Sequence, residues 1–164
     1  MDIKSKKKKL IGELIAENPE CGAGMKIVSR CMLAVFFLRA LLLVFEIIFF
    51  SASGLKVSIV SNLLFLPLII ILYMIFDGNR GIAMIPVISA VIRVAVYFSG
   101  GFKDVSAAAG GGAYTGIFLA VMLLQFAICL IVSYATRCQS YFKMMQAVNF
   151  RIQKEYLGGN NRHR

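Results

Sequence analysis

Three charged side chains stand inside otherwise apolar stretches of this chain. They are Arg39 in Leu38-Arg39-Ala40-Leu41, Glu46 in Val44-Phe45-Glu46-Ile47, and Arg93 in Val91-Ile92-Arg93-Val94. In hydrocarbon each such charge costs roughly 2.5 to 3.5 kcal/mol on insertion scales, so residues of this type persist when they are paired or used. Two chemistries follow. Opposite charges can neutralise one another and fix helix register, or they can line a polar pathway for an ion or substrate. Arg39 has a third course, snorkelling its guanidinium to the membrane interface. Asn62 and Gln125 are further polar residues in comparable surroundings, and together these five residues make up the expected intramembrane polar site.

Other chemistries find little support. The single histidine, His163, sits in the terminal run Asn160-Asn161-Arg162-His163-Arg164, a poor place for a metal ligand or catalytic base. Cys21, Cys31, Cys129 and Cys138 contain no C-x-x-C, so neither a thiol redox motif nor a zinc site is expected, and a reducing compartment argues against disulfides. Cys31 and Cys138 flank spans and are possible S-acylation sites, although small semi-apolar packing residues explain them as well. No catalytic, metal or cofactor-binding residue is predicted, and no enzyme activity is expected.

The elements that position the charges are membrane spans. Hydrophobic residues make up 59% of the 164-residue chain and charged ones only 16%, far from the soluble balance. Four stretches approach the roughly 20 apolar residues that cross a ~30 Å hydrocarbon core: 32–52, 57–76, 81–98 and 114–135. Leu41-Leu42-Leu43-Val44-Phe45 and Leu68-Ile69-Ile70-Ile71-Leu72 are continuously apolar, unlike the alternating strands of a barrel. The expected fold is an all-α integral membrane protein, an antiparallel four-transmembrane-helix bundle with amphipathic cytoplasmic segments at both termini. Its parts are a basic N-terminal segment, 1–31, a transmembrane domain, 32–135, and a basic C-terminal extension, 136–164. The start is not read as a cleaved signal, because Leu10-Ile11-Gly12-Glu13 breaks the apolar run too early.

The net charge of +10 is unevenly placed: of 18 Lys and Arg, seven lie in 1–31, one is Arg80 and six lie in 136–164, against Lys56 and Lys103 in the opposite loops. By the positive-inside rule both termini are cytoplasmic, in the cell membrane. That explanation suffices for the charge, so nucleic acid is not expected as a partner. Lys6, Lys7, Lys8 and Lys9 precede an apolar stripe, Leu10, Ile11, Leu14 and Ile15, which suits an interfacial helix touching anionic headgroups. Asn18-Pro19-Glu20 and Gly22-Ala23-Gly24 are expected to break that helix before the first span. Beyond Ala135, Tyr141, Met145, Val148, Ile152 and Tyr156 recur at helical spacing and predict an amphipathic extension that lies on the membrane or binds a partner. Tyr73, Tyr97, Tyr114 and Tyr134 fall near span ends, as an interfacial belt would place them.

Depth places the charges relative to one another. At about 1.5 Å per residue, Glu46, Arg93 and Asn62 lie ~5 to 7 Å outward of the midpoints of their spans, Arg39 ~4.5 Å inward, and Gln125 near the middle. Ala108, Gly112, Gly116 and Ala120 recur every four residues and predict a helix-packing stripe, within the bundle or across a homo-oligomer. The expected function is that of a non-enzymatic accessory or assembly factor acting through partner and lipid contacts. The alternative is an oligomeric small transporter or channel subunit whose polar site is Glu46, Asn62 and Arg93.

Overall fold

The computed structural model describes residues 3–53, 57–101 and 112–160, with side chains for 3–48, 67–95, 97–99 and 112–155. The described chain is helical and contains no strand. Helices α1 (Ile3–Glu17), α2 (Pro19–Ser53), α3 (Val57–Phe76), α4 (Met84–Val96), α5 (Gly112–Tyr134) and α6 (Thr136–Asn160) follow in order, with a 3-10 turn at Arg80–Ala83 and a π-helical turn at Tyr97–Gly101. Among the described residues, Pro19–Ile48, Arg80–Ser99 and Gly112–Tyr134 are long and apolar enough to cross a membrane.

The break between α1 and α2 is confined to Asn18. Its side chain accepts a hydrogen bond from the backbone N–H of Glu20 at 3.1 Å, the N-cap arrangement, with Pro19 in the first helical position, where its missing N–H costs nothing. Gly22-Ala23-Gly24 does not end the helix as expected; α2 runs through it for 35 residues, or about 52 Å. The glycines serve packing instead. A Cβ on Gly24 would sit 2.0 Å from the carbonyl oxygen of Arg137 in α6, so α6 crosses α2 at a distance that only glycine permits. At the other short turn Gly78 has φ +102°, and a Cβ there would meet that of Met145 at 2.4 Å; both constraints select glycine.

The buried face of α2 is a single seam, Cys21, Gly24, Val28, Met32, Val35, Arg39, Leu42 and Glu46, spaced by threes and fours. Its other side, including Leu33, Phe37, Leu41, Val44 and Ile48, is apolar and exposed, as a lipid-facing surface is. In α5 the buried face is Tyr114, Phe118, Val121, Met122, Gln125, Cys129, Val132 and Ser133. Helix α2 packs against α3, α5 and α6, and α4 packs chiefly on α5, so α5 stands between α2 and α4.

Pro86 does not interrupt α4; it lies in its first turn, where backbone N–H groups lack intrahelical partners in any case.

The two terminal helices form a cap over one end of the bundle. Cys138, Tyr141, Phe142, Met144, Met145 and Val148 of α6 are buried in the same core as Leu72 and Ile75 of α3 and Val28 and Met32 of α2. The amphipathic stripe of α6 therefore covers the protein's own core. Ile11, Leu14 and Ile15 of α1 pack on that core as well, so this stripe too faces protein. Tyr141 donates to the carbonyl oxygen of Phe76, Asn149 Nδ2 donates to that of Asp77 at 3.0 Å, and Lys6 pairs with Glu155 and Lys7 with Asp77. Of the four consecutive lysines, Lys6 and Lys7 are thus turned toward protein carboxylates, while Lys8 and Lys9 are exposed.

Candidate functional site

The α2 seam carries two charges into the core of the bundle. Glu46 is 2% exposed and Arg39 7%; seven residues apart, they lie about 10.5 Å from each other along the helix. Across from them, Tyr114 of α5 is fully buried, and its hydroxyl donates to Glu46 Oε1 at 3.1 Å. Arg93 of α4 is half-buried. Among the described residues, Arg93, Glu46 and Tyr114 lie within electrostatic reach of the Arg39 guanidinium, and Tyr114 in turn feels Glu46, Arg93 and Tyr97. Helices α2, α4 and α5 thus contribute to one cluster of two cations, one carboxylate and one tyrosine hydroxyl.

Aromatic rings wall it. Phe45 stacks on Tyr114 with centroids 6.1 Å apart, Phe118 stacks on Tyr114 at 6.0 Å, and Tyr97 stacks on Phe118 at 5.1 Å. Tyr97 also hydrogen-bonds Thr115. Rings packed this way exclude water, and in the resulting low dielectric both the attraction of a pair and the cost of an unpaired charge grow. Arg39 Nη1 is buried without a hydrogen-bond partner among the described residues.

Of the five residues singled out in the sequence, the structure brings Arg39, Glu46 and Arg93 together. Gln125 is 1% exposed; its Nε2 donates to the carbonyl oxygen of Pro86 at 2.7 Å, tying α5 to α4, while its Oε1 is unpartnered among the described residues. The side chain of Asn62 lies outside the described residues. Tyr114, expected in the interfacial belt, instead donates its hydroxyl proton to the buried carboxylate. The signal for it was present: Tyr114, Phe118, Val121, Gln125, Cys129 and Val132 share one helical face, and that face carries Gln125.

No protein-family model, curated protein or solved structure matches this chain.

The other expectations fall on the periphery. A Cβ on Gly112 or Gly116 would meet no atom within 4 Å, and Ala120 is exposed, so this stripe faces away from the other described helices; Ala108 lies outside the described residues. Cys31 is half-buried, whereas Cys21, Cys129 and Cys138 are buried. Burial pushes the Cys138 thiol up from its ordinary range, with a smaller push from Cys31. No group of three or more His, Cys, Asp or Glu able to hold a metal occurs among the described residues. A cavity of about 410 Å³ opens where α3 meets α6, lined by Tyr73, Asp77, Asn79, Gln146, Asn149 and Gln153.

Proposed function

We propose that this chain is a four-span cell-membrane protein with both termini cytoplasmic, acting as a non-enzymatic accessory or assembly factor through its terminal cap. The fourth span is α3. It is supported by the 20-residue length and apolar sequence of Val57–Phe76 and by geometry: Phe76 and Asp77 meet α6 at the cap, the end at which α2 begins. A chain that leaves the cap along α2 and returns to it along α3 crosses twice. The orientation is supported by the surplus of lysine and arginine at the capped end.

The observation that carries the accessory reading is the cap itself. Its inner face is consumed by the protein's own core, while Lys8, Lys9, Arg137, Lys143, Arg151 and Lys154 are exposed on it. That surface suits acidic partner segments and anionic headgroups, to which each basic residue near the surface adds about 1 kcal/mol. Photocrosslinkers at Lys8 and Arg151 in native membranes test it. One partner captured from both positions, and lost on charge reversal of Lys143 and Lys154, supports the reading; no capture dependent on these charges refutes it. A second reading, an oligomeric transporter or channel subunit, is favoured by the buried charges Arg39 and Glu46 of α2 and the half-buried Arg93 of α4. It is tested by ion or proton flux in proteoliposomes that disappears in Glu46→Gln.

A further inference from the structure

We propose that the cavity between α3 and α6 binds one neutral sugar ring, the headgroup of a glycolipid whose acyl chains lie along the outer face of α3. The lipid source rests on the reading of α3 as a membrane span. Failure of that reading shows separately, as a Lys56→Cys variant that an impermeant thiol reagent cannot reach from outside intact cells.

At about 410 Å³ the cavity has the size of a small-molecule site. The end of α3 is held in place around it. The backbone N–H groups of Gly78 and Asn79 donate to the carbonyl oxygens of Ile75 and Met74 at 3.1 Å each, and Asn149 of α6 donates to that of Asp77, so the site is formed before a ligand arrives. Its lining offers two kinds of surface. Asn79, Gln146 and Gln153 are exposed amides, each able to donate and accept, and Gln146, Asn149 and Gln153 share one face of α6 at spacings of three and four. Tyr73 and Phe150, 69% and 66% exposed, add aromatic rings. A sugar uses both: its hydroxyls donate and accept at once, and the C–H face of its ring packs on an aromatic surface. Charge argues against the other headgroups. Of the described residues lining the cavity Asp77 alone is charged, and its carboxylate is paired with Lys7. A phosphate would meet that carboxylate with no lysine or arginine in the lining, and an ammonium group would have to displace Lys7. The lipid follows from what adjoins the cavity, since Ile69 and Ile70, one turn from Tyr73 on α3, are apolar and exposed.

The test measures Tm of the full chain in phosphatidylcholine nanodiscs by circular dichroism. Monoglucosyl diacylglycerol, diacylglycerol or phosphatidic acid is added to the bilayer at equal mole fraction, or methyl glucoside to the buffer. The glycolipid should raise Tm by about 4 °C at about ten times its Kd, with no comparable gain from the two lipids that lack a sugar. A gain from the glycolipid, with or without one from methyl glucoside, supports the proposal, whereas a gain from methyl glucoside alone overturns the lipid source. Gln146→Ala combined with Gln153→Ala should weaken binding about tenfold and cut the gain to about a third, and Tyr73→Ala should do the same. All three side chains are exposed, so Tm without ligand should stay within about 2 °C of the parent. No gain from the glycolipid, an equal gain from diacylglycerol or phosphatidic acid, or an undiminished gain in either variant overturns the proposal.

Discussion

Replacing Gly24 with alanine adds a single methyl group where α2 and α6 cross, the tightest site among the described glycines. The new Cβ would lie 2.0 Å from the carbonyl oxygen of Arg137, 2.8 Å from its carbonyl carbon and 3.0 Å from Cβ of Tyr141. The first two are backbone atoms and cannot rotate aside, so α6 must retreat by more than about 1 Å. That retreat loosens Cys138, Tyr141 and Met145 in the core they share with α2 and α3. Overpacking of this kind costs about 1 to 3 kcal/mol, and at roughly 2 to 4 °C per kcal/mol for a chain of this size the Tm should fall by about 2 to 12 °C. Thermal unfolding in mild detergent measures it, with proteolysis of α6 as a second readout. Gly116→Ala is the control, because its added methyl meets nothing within 4 Å, and alanine is the better helix former by about 1 kcal/mol. Parental stability of Gly24→Ala, or a larger loss at Gly116 than at Gly24, would refute the assignment of Gly24 as the contact between cap and bundle.

Four further outcomes are expected. Cysteines introduced at Lys56 and Lys103 should react with an impermeant thiol reagent added to intact cells, and one at the exposed Lys8 only after permeabilisation; the reverse pattern inverts the topology. Glu46→Gln and Arg93→Gln should each cost ~3 to 5 kcal/mol in detergent unfolding while the double variant recovers part of the loss, and simple additivity would pass the pairing role to Arg39. Burial, with the nearby Asp77 charge adding to it, pushes the Tyr141 hydroxyl up to about 12. Between pH 10 and 12 the unfolded chain therefore binds fewer protons than the folded one, and stability should fall by up to about 1.4 kcal/mol per pH unit across that window, a loss that Tyr141→Phe removes. Ile15→Asp should release α1 and speed its proteolysis, whereas Lys6→Ala, which breaks only an exposed ion pair, should change stability by no more than about 1 kcal/mol; equal effects of the two would contradict apolar docking of α1.

How far the fold could be read in advance depended on which surface each residue faced. The apolar lengths of 57–76 and 114–135 reappear almost unchanged as α3 and α5, because length against hydrocarbon thickness needs no tertiary information. The seam of α2 was harder to see. Lipid makes its outer face as apolar as its inner one, so the helical periodicity flattens and only Arg39 and Glu46 mark which side is buried. Those two positions were legible because a charge in hydrocarbon is costly wherever the helix goes. Tyr114 was not, since a tyrosine fits the interface and the core equally well until its neighbour is known. The glycines divided similarly: Gly116 belongs to a GxxxG and faces outward, whereas Gly24, in a stretch read as a helix break, is where two helices meet. Small residues permit close approach, but which of them is approached is a tertiary fact.

The unbroken course of α2 makes the molecule a lever. From Gly24, where α6 grips it, to Glu46 beside Tyr114, the helix runs 22 residues, about 33 Å, with no interruption of its hydrogen-bonded ladder. Each degree by which a partner or a lipid surface tilts the cap therefore displaces the buried carboxylate by about half an ångström. A hydrogen bond of 3.1 Å does not survive many such steps. A change of tilt at the cap is thereby geared to buried charges about 33 Å away.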